Sequence, residues 1–151
     1  MDNSFPKISI LIPTYNRAHY LVDAIESSLA QDYPNFEVIV SDNNSADGTQ
    51  ECVKKYLSDP RLRYYKNDTN LGGGPNYKKL LYEYATGEYG KFLTDDDYLI
   101  DNNHLTKAIN IIKKHNVEIF FSAAVSRNEY EKQGINLSFG LDEVVPQRWW
   151  L

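Results

Sequence analysis

Residues Ile8-Ser-Ile-Leu-Ile-Pro-Thr-Tyr-Asn-Arg17 contain the pattern on which the rest of the chain is built. Four of the first five residues are Ile or Leu, and Pro13 ends the apolar run. A run this short, rich in β-branched residues and stopped by proline, predicts a buried strand rather than a helix. The polar residues after it are therefore expected at the end of a strand.

The same pattern repeats along the chain. Strands are predicted at residues 8–12, 36–40, 62–66, 89–93 and 117–125. Apolar residues at helical spacing predict helices at 21–29, 52–57, 77–84 and 105–112. Strands that alternate with helices predict an α/β fold with a mostly parallel sheet, and such sheets bind ligands beyond the carboxyl ends of their strands.

Composition limits the domain organisation and the function classes. The 151 residues suffice for one core, so we expect a single domain over residues 1–151. The net charge of -5 argues against nucleic-acid binding, which needs a basic face. The single Cys52 excludes an internal disulfide and favours a reducing compartment, with the cytoplasm as the default. Residues 1–20 predict neither a signal peptide nor a membrane span, so membrane contact is expected only peripherally, through regions outside this chain.

An acidic cluster, Asp95, Asp96 and Asp97, follows the predicted strand at 89–93. Three adjacent carboxylates repel one another, so they need a cation, hydrogen bonds or full exposure to water. Mn²⁺ or Mg²⁺ would suit them, because such ions accept carboxylate, diphosphate and water oxygens. Successive residues of an extended segment face opposite ways, so the three cannot ligate equally. The alternative is a solvated loop in which Asp97 or Asp101 caps the next helix.

Polar residues also follow the second predicted strand. Asp42 could accept the ring N–H of a pyrimidine base, with loop residues such as Asn44 defining the pocket. Its alternative role is that of a turn or cap aspartate. Further along, Gly72–Gly74 would either let the backbone approach a phosphate or form a flexible turn, and the run lacks the lysine-serine ending of a P-loop.

The residues that end the first predicted strand could meet a nucleobase. Tyr15 offers an aromatic face for stacking, while Pro13, Thr14 and Asn16 fix the turn and offer polar groups to the edge of the base. The alternatives are packing by Tyr15 and helix capping by Asn16.

Three motifs, Ile8–Arg17, Val38–Thr49 and Gly87–Leu99, resemble in their order and spacing the family-2 glycosyltransferases of the GT-A fold. The similarity covers about residues 5–125. It implies a Rossmann-like GT-A α/β/α sandwich and transfer of a sugar from a nucleotide diphosphate donor with inversion. It also implies that the chain is the N-terminal, nucleotide-sugar-binding portion of such an enzyme, with residues 126–151 as a partial acceptor-side region. Large aromatic residues normally bury against other residues, so the terminal Trp149, Trp150 and Leu151 favour a chain truncated at its carboxyl terminus.

The resemblance also implies the roles of individual residues. We assign the nucleotide to Pro13, Thr14, Tyr15, Asn16, Asp42, Asn44 and Asp95. We assign a DxD-type metal motif to Asp96 and Asp97, with Asp96 as the direct ligand and Asp95 near the ribose or the sugar. Two departures affect these roles: Thr94 replaces the first aspartate of the usual Leu-Asp-x-Asp-Asp, and residues 70–76 lack the usual Ala-Arg-Asn, so a basic donor contact is missing or supplied elsewhere.

The expected activity is metal-dependent, inverting transfer of a sugar, with a UDP-sugar as the default donor. The acceptor would be a saccharide or lipid-linked saccharide in cell-surface polysaccharide synthesis. The family's general base usually lies beyond the segment present here, and Asp142 and Glu143 form a late acidic pair. A donor-binding fragment without turnover is therefore one alternative.

Two other function classes are alternatives. A sugar-nucleotide nucleotidyltransferase would carry a glycine-rich basic loop after the first strand. A receiver domain would carry an acidic pair after the first strand and a lysine after the last. Neither pattern is evident in the sequence.

Overall fold

The computed structural model describes residues 5–118. The strands are β1 (Ile8–Thr14), β2 (Phe36–Asp42), β3 (Leu62–Lys66) and β4 (Tyr89–Phe92). The helices are α1 (Ala18–Leu29), α2 (Thr49–Lys54), α3 (Gly73–Lys79), which continues as a π-helical segment at Leu80–Tyr84, and α4 (His104–His115).

The four strands form one parallel sheet in the order β3-β2-β1-β4. The two central strands, β1 and β2, are buried along their whole length. Near-continuous apolar runs of this kind are typical of parallel strands that are covered on both faces. The predicted α/β fold with a parallel sheet is confirmed, and the carboxyl ends of all four strands lie at one edge of the sheet, the carboxyl edge.

Proline in a central strand needs an explanation, because proline cannot donate a ladder hydrogen bond. The pairing of β1 with β4 ends where Leu11 lies opposite Phe92, two residues before Pro13. Pro13 therefore lies where β1 has no partner on its β4 side among residues 5–118, and its missing N–H interrupts no ladder between these strands. The early end of β4 also frees the chain for the turn that carries the acidic cluster.

The predicted elements agree with the structure except at three places. The helix predicted at 52–57 lies earlier, at Thr49–Lys54, so that Tyr56 and Leu57 fall in the turn after it. The helix predicted at 77–84 begins earlier, at Gly73, and includes Pro75 in its first turn, where a proline ring fits a helix. Of the strand predicted at 117–125, only Val117 and Glu118 lie within the described residues, and neither is in a strand. The late pair Asp142 and Glu143 also lies outside the described residues.

The chain divides into two compact units, Met1–Leu105 and Thr106–Leu151. The first contains the four described strands and the loops at their carboxyl ends. Of the second, the structure describes the rest of α4 and the turn after it, where Asn116 adopts a positive φ of 51° and the Val117 N–H donates to the Ile112 carbonyl. Among the helices within residues 5–118, none has the length and apolar character needed to cross a membrane.

Candidate functional site

The candidate site begins where the ends of β1 and β4 meet at the carboxyl edge. Thr14, the last residue of β1, and Asp95, in the turn after β4, are both buried. The Thr14 hydroxyl donates to Asp95 Oδ2 at 2.8 Å. This bond joins residues 81 positions apart in sequence and fixes the direction of one carboxylate of the acidic cluster.

Asp95 is 5% exposed, and this burial disfavours the charged form of its carboxylate. Desolvation raises the pKa of this carboxyl above its usual value, and the neighbouring Asp96 raises it further. The hydrogen bond from Thr14 and the positive charge of Arg17 oppose this rise without cancelling it. The charged form of Asp95 is thus less favoured in this site than it would be in water.

Arg17 bridges the first two aspartates of the cluster. Its Nη1 atom lies 3.2 Å from Asp95 Oδ1 and 2.8 Å from Asp96 Oδ2. The side chains of Arg17 and Asp96 are both about half exposed, whereas that of Asp95 is buried. The arrangement is one guanidinium shared between an inner and an outer carboxylate.

The third aspartate is held differently. The Thr94 hydroxyl donates to Asp97 Oδ2 at 2.6 Å, and the Asp97 N–H donates to the Thr94 carbonyl at 3.0 Å. Asp97 therefore closes a tight turn, and α4 begins only at His104, after Asp101. The prediction that three adjacent carboxylates take unequal positions is consistent with this geometry.

Asp42 lies at the end of β2, opposite Thr14 in the β1–β2 register. It is fully buried, and both of its oxygens accept hydrogen bonds: Oδ1 from the Ser45 N–H at 2.7 Å and Oδ2 from the Tyr64 hydroxyl at 2.6 Å. Burial and the bond to Asp42 raise the pKa of Tyr64 above its usual value. A ring N–H could therefore reach Asp42 only if Tyr64 or the loop after β2 moves aside.

The loops after β1 and β2 are tied to each other. Asn16 adopts a positive φ of 53°; its N–H donates to Ser45 Oγ at 2.8 Å, and its side-chain oxygen accepts from the Ala46 N–H at 2.8 Å. Asp47 accepts from the Ala18 N–H at 3.0 Å, so a residue of the second loop, rather than Asn16, satisfies the start of α1. The Asn16 side chain thus shapes the site through the loop that it holds.

Three of the predicted nucleotide-binding residues are exposed, and one of them, Asn16, already bonds the loop after β2 through its side-chain oxygen. Tyr15 is 44% exposed, and Asn44 is exposed with a positive φ of 70° that asparagine tolerates. Pro13 is buried and can only support the residues around it. The carboxyl edge therefore presents one aromatic face and one amide beside the Arg17–aspartate group.

The glycine-rich loop is anchored by asparagine side chains. Gly72 has a positive φ of 84°, which favours glycine. The N–H groups of Leu71 and Gly72 donate to the side-chain oxygens of Asn43 at 2.9 Å and Asn70 at 2.8 Å. Because these two N–H groups are already bonded, they do not form an open cradle for a phosphate in this structure.

The geometry of the acidic cluster bears on its role as a metal site. Within residues 5–118, no three side chains of His, Cys, Asp or Glu converge as a metal-binding group. Asp96 and Asp97 nevertheless each keep one carboxylate oxygen that accepts no hydrogen bond from the described residues. Mg²⁺ and similar hard cations commonly use one or two carboxylates and complete their shell with substrate phosphates and water, so the free oxygen of either aspartate is a suitable ligand for such an ion.

Two residues of this site received no role from the sequence. Arg17 stands in the first motif, and as the only basic residue there it could have been matched to the acidic cluster. Tyr64 gave no signal, since an aromatic residue in the middle of β3 is an ordinary strand residue.

Comparison with known proteins supports a specific family. The family model "Glycosyl transferase family 2" matches residues 9–145. A β-1,3-glucosyltransferase of Campylobacter jejuni, described as acting on GalNAc(5)-diNAcBac-PP-undecaprenol, is 42% identical over 97 residues, which are 63% of this chain and 31% of that protein. The poly(ribitol-phosphate) β-N-acetylglucosaminyltransferase TarS of Staphylococcus aureus is 34% identical over 115 residues, 75% of this chain and 20% of TarS. The chain thus spans less than a third of the length of these two relatives.

Solved structures share the fold. Residues 1–349 of S. aureus TarS in complex with UDP-GlcNAc match with a TM-score of 0.67 and 30% identity, covering 83% of this chain and 38% of that one. The mannosyltransferase PcManGT of Pyrobaculum calidifontis, in complex with GDP-Man and Mn²⁺, matches with a TM-score of 0.68 at 23% identity, covering 86% of this chain and 39% of that one. The predicted GT-A fold is confirmed by these matches.

Proposed function

The chain belongs to glycosyl transferase family 2, and from this premise we propose that it forms the donor-binding half of an enzyme that transfers a sugar from a nucleotide diphosphate. The observation that carries the proposal is the Thr14–Asp95–Arg17–Asp96 group at the carboxyl edge of a parallel sheet. Ligands of such sheets bind at this edge. The family membership selects this function over the nucleotidyltransferase and receiver alternatives.

The nucleoside would lie against the loops after β1 and β2. Tyr15 would stack on the base, and Asn44 would meet its edge, since both side chains are accessible. A carboxylate offers about four lone-pair positions, of which Asp42 uses two, so it would accept a ring N–H once the loop has moved. UDP is the proposed nucleotide, supported by the UDP-GlcNAc complex of the similar TarS structure.

The diphosphate and the sugar would lie over the acidic cluster. Asp96 is proposed as the direct ligand of Mn²⁺ or Mg²⁺, with Asp97 as the second protein ligand. When bound, such an ion neutralises the charge that develops on the departing diphosphate. Thr14 holds Asp95 in one orientation, and the Asp95 carboxylate would accept hydrogen bonds from hydroxyls of the ribose or of the sugar.

The transfer itself would need more than the described residues. Inversion requires a general base that removes the proton of the acceptor hydroxyl on the face opposite the diphosphate. The described residues of the site are assigned to donor binding, so the base is proposed to lie elsewhere in the protein. A saccharide or lipid-linked saccharide acceptor, a cytoplasmic location and peripheral contact with a membrane surface are proposed because the C. jejuni relative is described by an undecaprenol-linked substrate.

Calorimetric titration of the chain with UDP, dTDP and GDP, each with and without Mn²⁺, tests the proposal. We expect UDP to bind at least about tenfold more tightly when Mn²⁺ is present, and Asp96→Ala to remove that gain, because the ion bridges this carboxylate and the diphosphate. Glu83→Ala removes an exposed carboxylate from the π-helical segment and serves as the matched control. Metal-independent binding, or an Asp96→Ala variant that behaves as the parent chain does, would contradict the proposal.

A further inference from the structure

We propose that Arg17 is the internal counter-ion of the Asp95–Asp96 pair, and that it competes with the divalent cation for the Asp96 carboxylate and is displaced when the cation binds. The inference rests on the proposed function, because it assigns a part to Arg17 in the binding of that cation. In addition, it gives Arg17 a role in determining the affinity of the site for a cation in the absence of a nucleotide.

The pair needs a positive charge in the absence of a cation. Asp95 is buried and adjacent to a second carboxylate, an arrangement that disfavours two negative charges. Within residues 5–118, the ion pairs of both aspartates go to the same atom, Nη1 of Arg17. A single guanidinium therefore offsets the repulsion that would otherwise oppose the folded conformation of this turn.

Arg17 and a divalent cation would bind to the same carboxylate, that of Asp96. Nη1 lies 2.8 Å from Asp96 Oδ2. A cation bonded to that oxygen at about 2.1 Å would approach the same lone pairs that now accept the guanidinium N–H. If the cation bonded the other oxygen of Asp96 instead, two like charges would still lie on one carboxylate, and their repulsion would lower the affinity.

Displacement of Arg17 is structurally easy. Its side chain is 49% exposed, and ion pairs at such exposure contribute little to stability because water screens them. Arg17 is the N-cap residue of α1 but makes no side-chain capping bond, so the helix does not depend on its guanidinium. Asp95 would stay in place when Arg17 leaves, since Thr14 continues to donate to its other oxygen.

The arrangement has a consequence for the order of binding. A bare cation must displace a charged group, whereas a cation that arrives with a diphosphate brings negative charge with which the released guanidinium can pair. The site is therefore expected to hold a bare cation weakly and a cation with a nucleotide diphosphate strongly. Removing the Arg17 charge should shift this balance toward the bare cation.

The experiment is calorimetric titration of the chain with MnCl₂ in the absence of nucleotide. We expect Arg17→Gln to bind Mn²⁺ about fivefold more tightly than the parent chain, because no guanidinium has to be displaced. Arg17→Lys retains the charge but loses the forked guanidinium and should fall between the two. Lys54→Gln removes a positive charge from an exposed ion pair with Glu51 on α2 and should leave the affinity unchanged.

A second measurement separates competition from a general change in the fold. Mn²⁺ should raise the melting temperature of Arg17→Gln by more than it raises that of the parent chain, since only the variant lacks a counter-ion beforehand. Equal or weaker Mn²⁺ binding by Arg17→Gln would overturn the inference and assign Arg17 to holding the aspartates in place. If the parent chain then still binds UDP with Mn²⁺, the proposed function survives; if no variant binds Mn²⁺ with or without UDP, both fall.

Discussion

Two buried carboxylates, Glu37 and Asp95, lie at opposite edges of the same sheet and have opposite electrostatics. Glu37 is the second residue of β2, at the amino edge, and its pKa is lowered to about 2. Asp95 follows β4, at the carboxyl edge, and its pKa is raised. Both are about equally buried, at 4% and 5% exposure, so burial alone does not explain the difference.

The number of hydrogen-bond donors to each carboxylate explains the difference between the two pKa values. Burial alone would raise the pKa of Glu37, but Oε1 accepts from Ser9 Oγ at 2.7 Å and from the N–H and hydroxyl of Thr86 at 3.0 and 2.8 Å. Oε2 accepts from Lys7 and Arg63, each at 3.1 Å. Five donors, two of them cationic, outweigh the desolvation of the carboxylate.

Among the residues that the structure describes, Asp95 has only Thr14 and the half-exposed Arg17 as donors, and it lies beside the like charge of Asp96. Its charged form is therefore incompletely satisfied by the protein. At the amino edge, the hydrogen bonds to the buried carboxylate stabilise the fold. At the carboxyl edge, the buried carboxylate retains a charge that a ligand can satisfy. Sites of binding commonly retain such unfavourable local energies.

The largest effect that would test this contrast is expected at the amino edge. Glu37→Gln should lower the free energy of unfolding by about 3 kcal/mol at pH 7, because it leaves Lys7 and Arg63 without their shared anion and places an NH₂ group against donors. Urea denaturation measures the change. Glu51→Gln, on an exposed side chain of α2, is the matched control and should change stability by less than about 0.5 kcal/mol.

The stabilisation by Glu37 is expected to depend on pH. The folded pKa of Glu37, about 2, lies below its usual 4.5, so its stabilisation is fully present above pH 4.5 and is lost as the pH falls toward 2. The difference in unfolding free energy between the parent chain and Glu37→Gln should therefore shrink from pH 5 to pH 2. A difference that stays constant over this range would show that charge is not the source of the stabilisation.

The next largest effect on stability is expected at Gly87, where two backbone segments approach each other closely at the amino edge. A Cβ atom on Gly87 would lie 2.6 Å from the Ser9 backbone nitrogen and 2.8 Å from the Lys7 carbonyl oxygen. Gly87→Ala should therefore destabilise the chain by about 2 kcal/mol, since backbone cannot yield as a flexible side chain can. Gly73→Ala meets no atom within 4 Å and is the control; comparable melting temperatures for the two variants would contradict this account.

The smallest effect on stability is expected at the carboxyl edge. Asp95→Asn keeps an oxygen to accept from Thr14 but removes the repulsion from Asp96, so it should change the unfolding free energy by no more than about 1 kcal/mol, toward greater stability. The same change should weaken UDP binding in the presence of Mn²⁺. A loss of stability as large as that of Glu37→Gln would remove the contrast between the two edges.

Much of the fold could be predicted from local pattern alone. The apolar runs located β1 to β4, because a buried parallel strand needs a short continuous run of apolar residues. Polar residues after those runs then predicted that Thr14, Asp42 and Asp95 would share one edge, since parallel strands all end on the same side. The start of α3 at Gly73 was missed, because glycine and proline are poor helix formers whose placement here depends on the first turn.

The sequence by itself determined the class of fold, the family and the edge at which the candidate residues gather, because periodicity and motif order are properties of neighbouring residues. Only the tertiary structure decided that Tyr64 encloses Asp42, that Asn16 bonds the loop after β2 and that Arg17 neutralises Asp95 and Asp96. These pairings join residues 22 to 79 positions apart. Distance and burial in the folded chain determine which residues pair, and neither quantity can be deduced from the local order of residues.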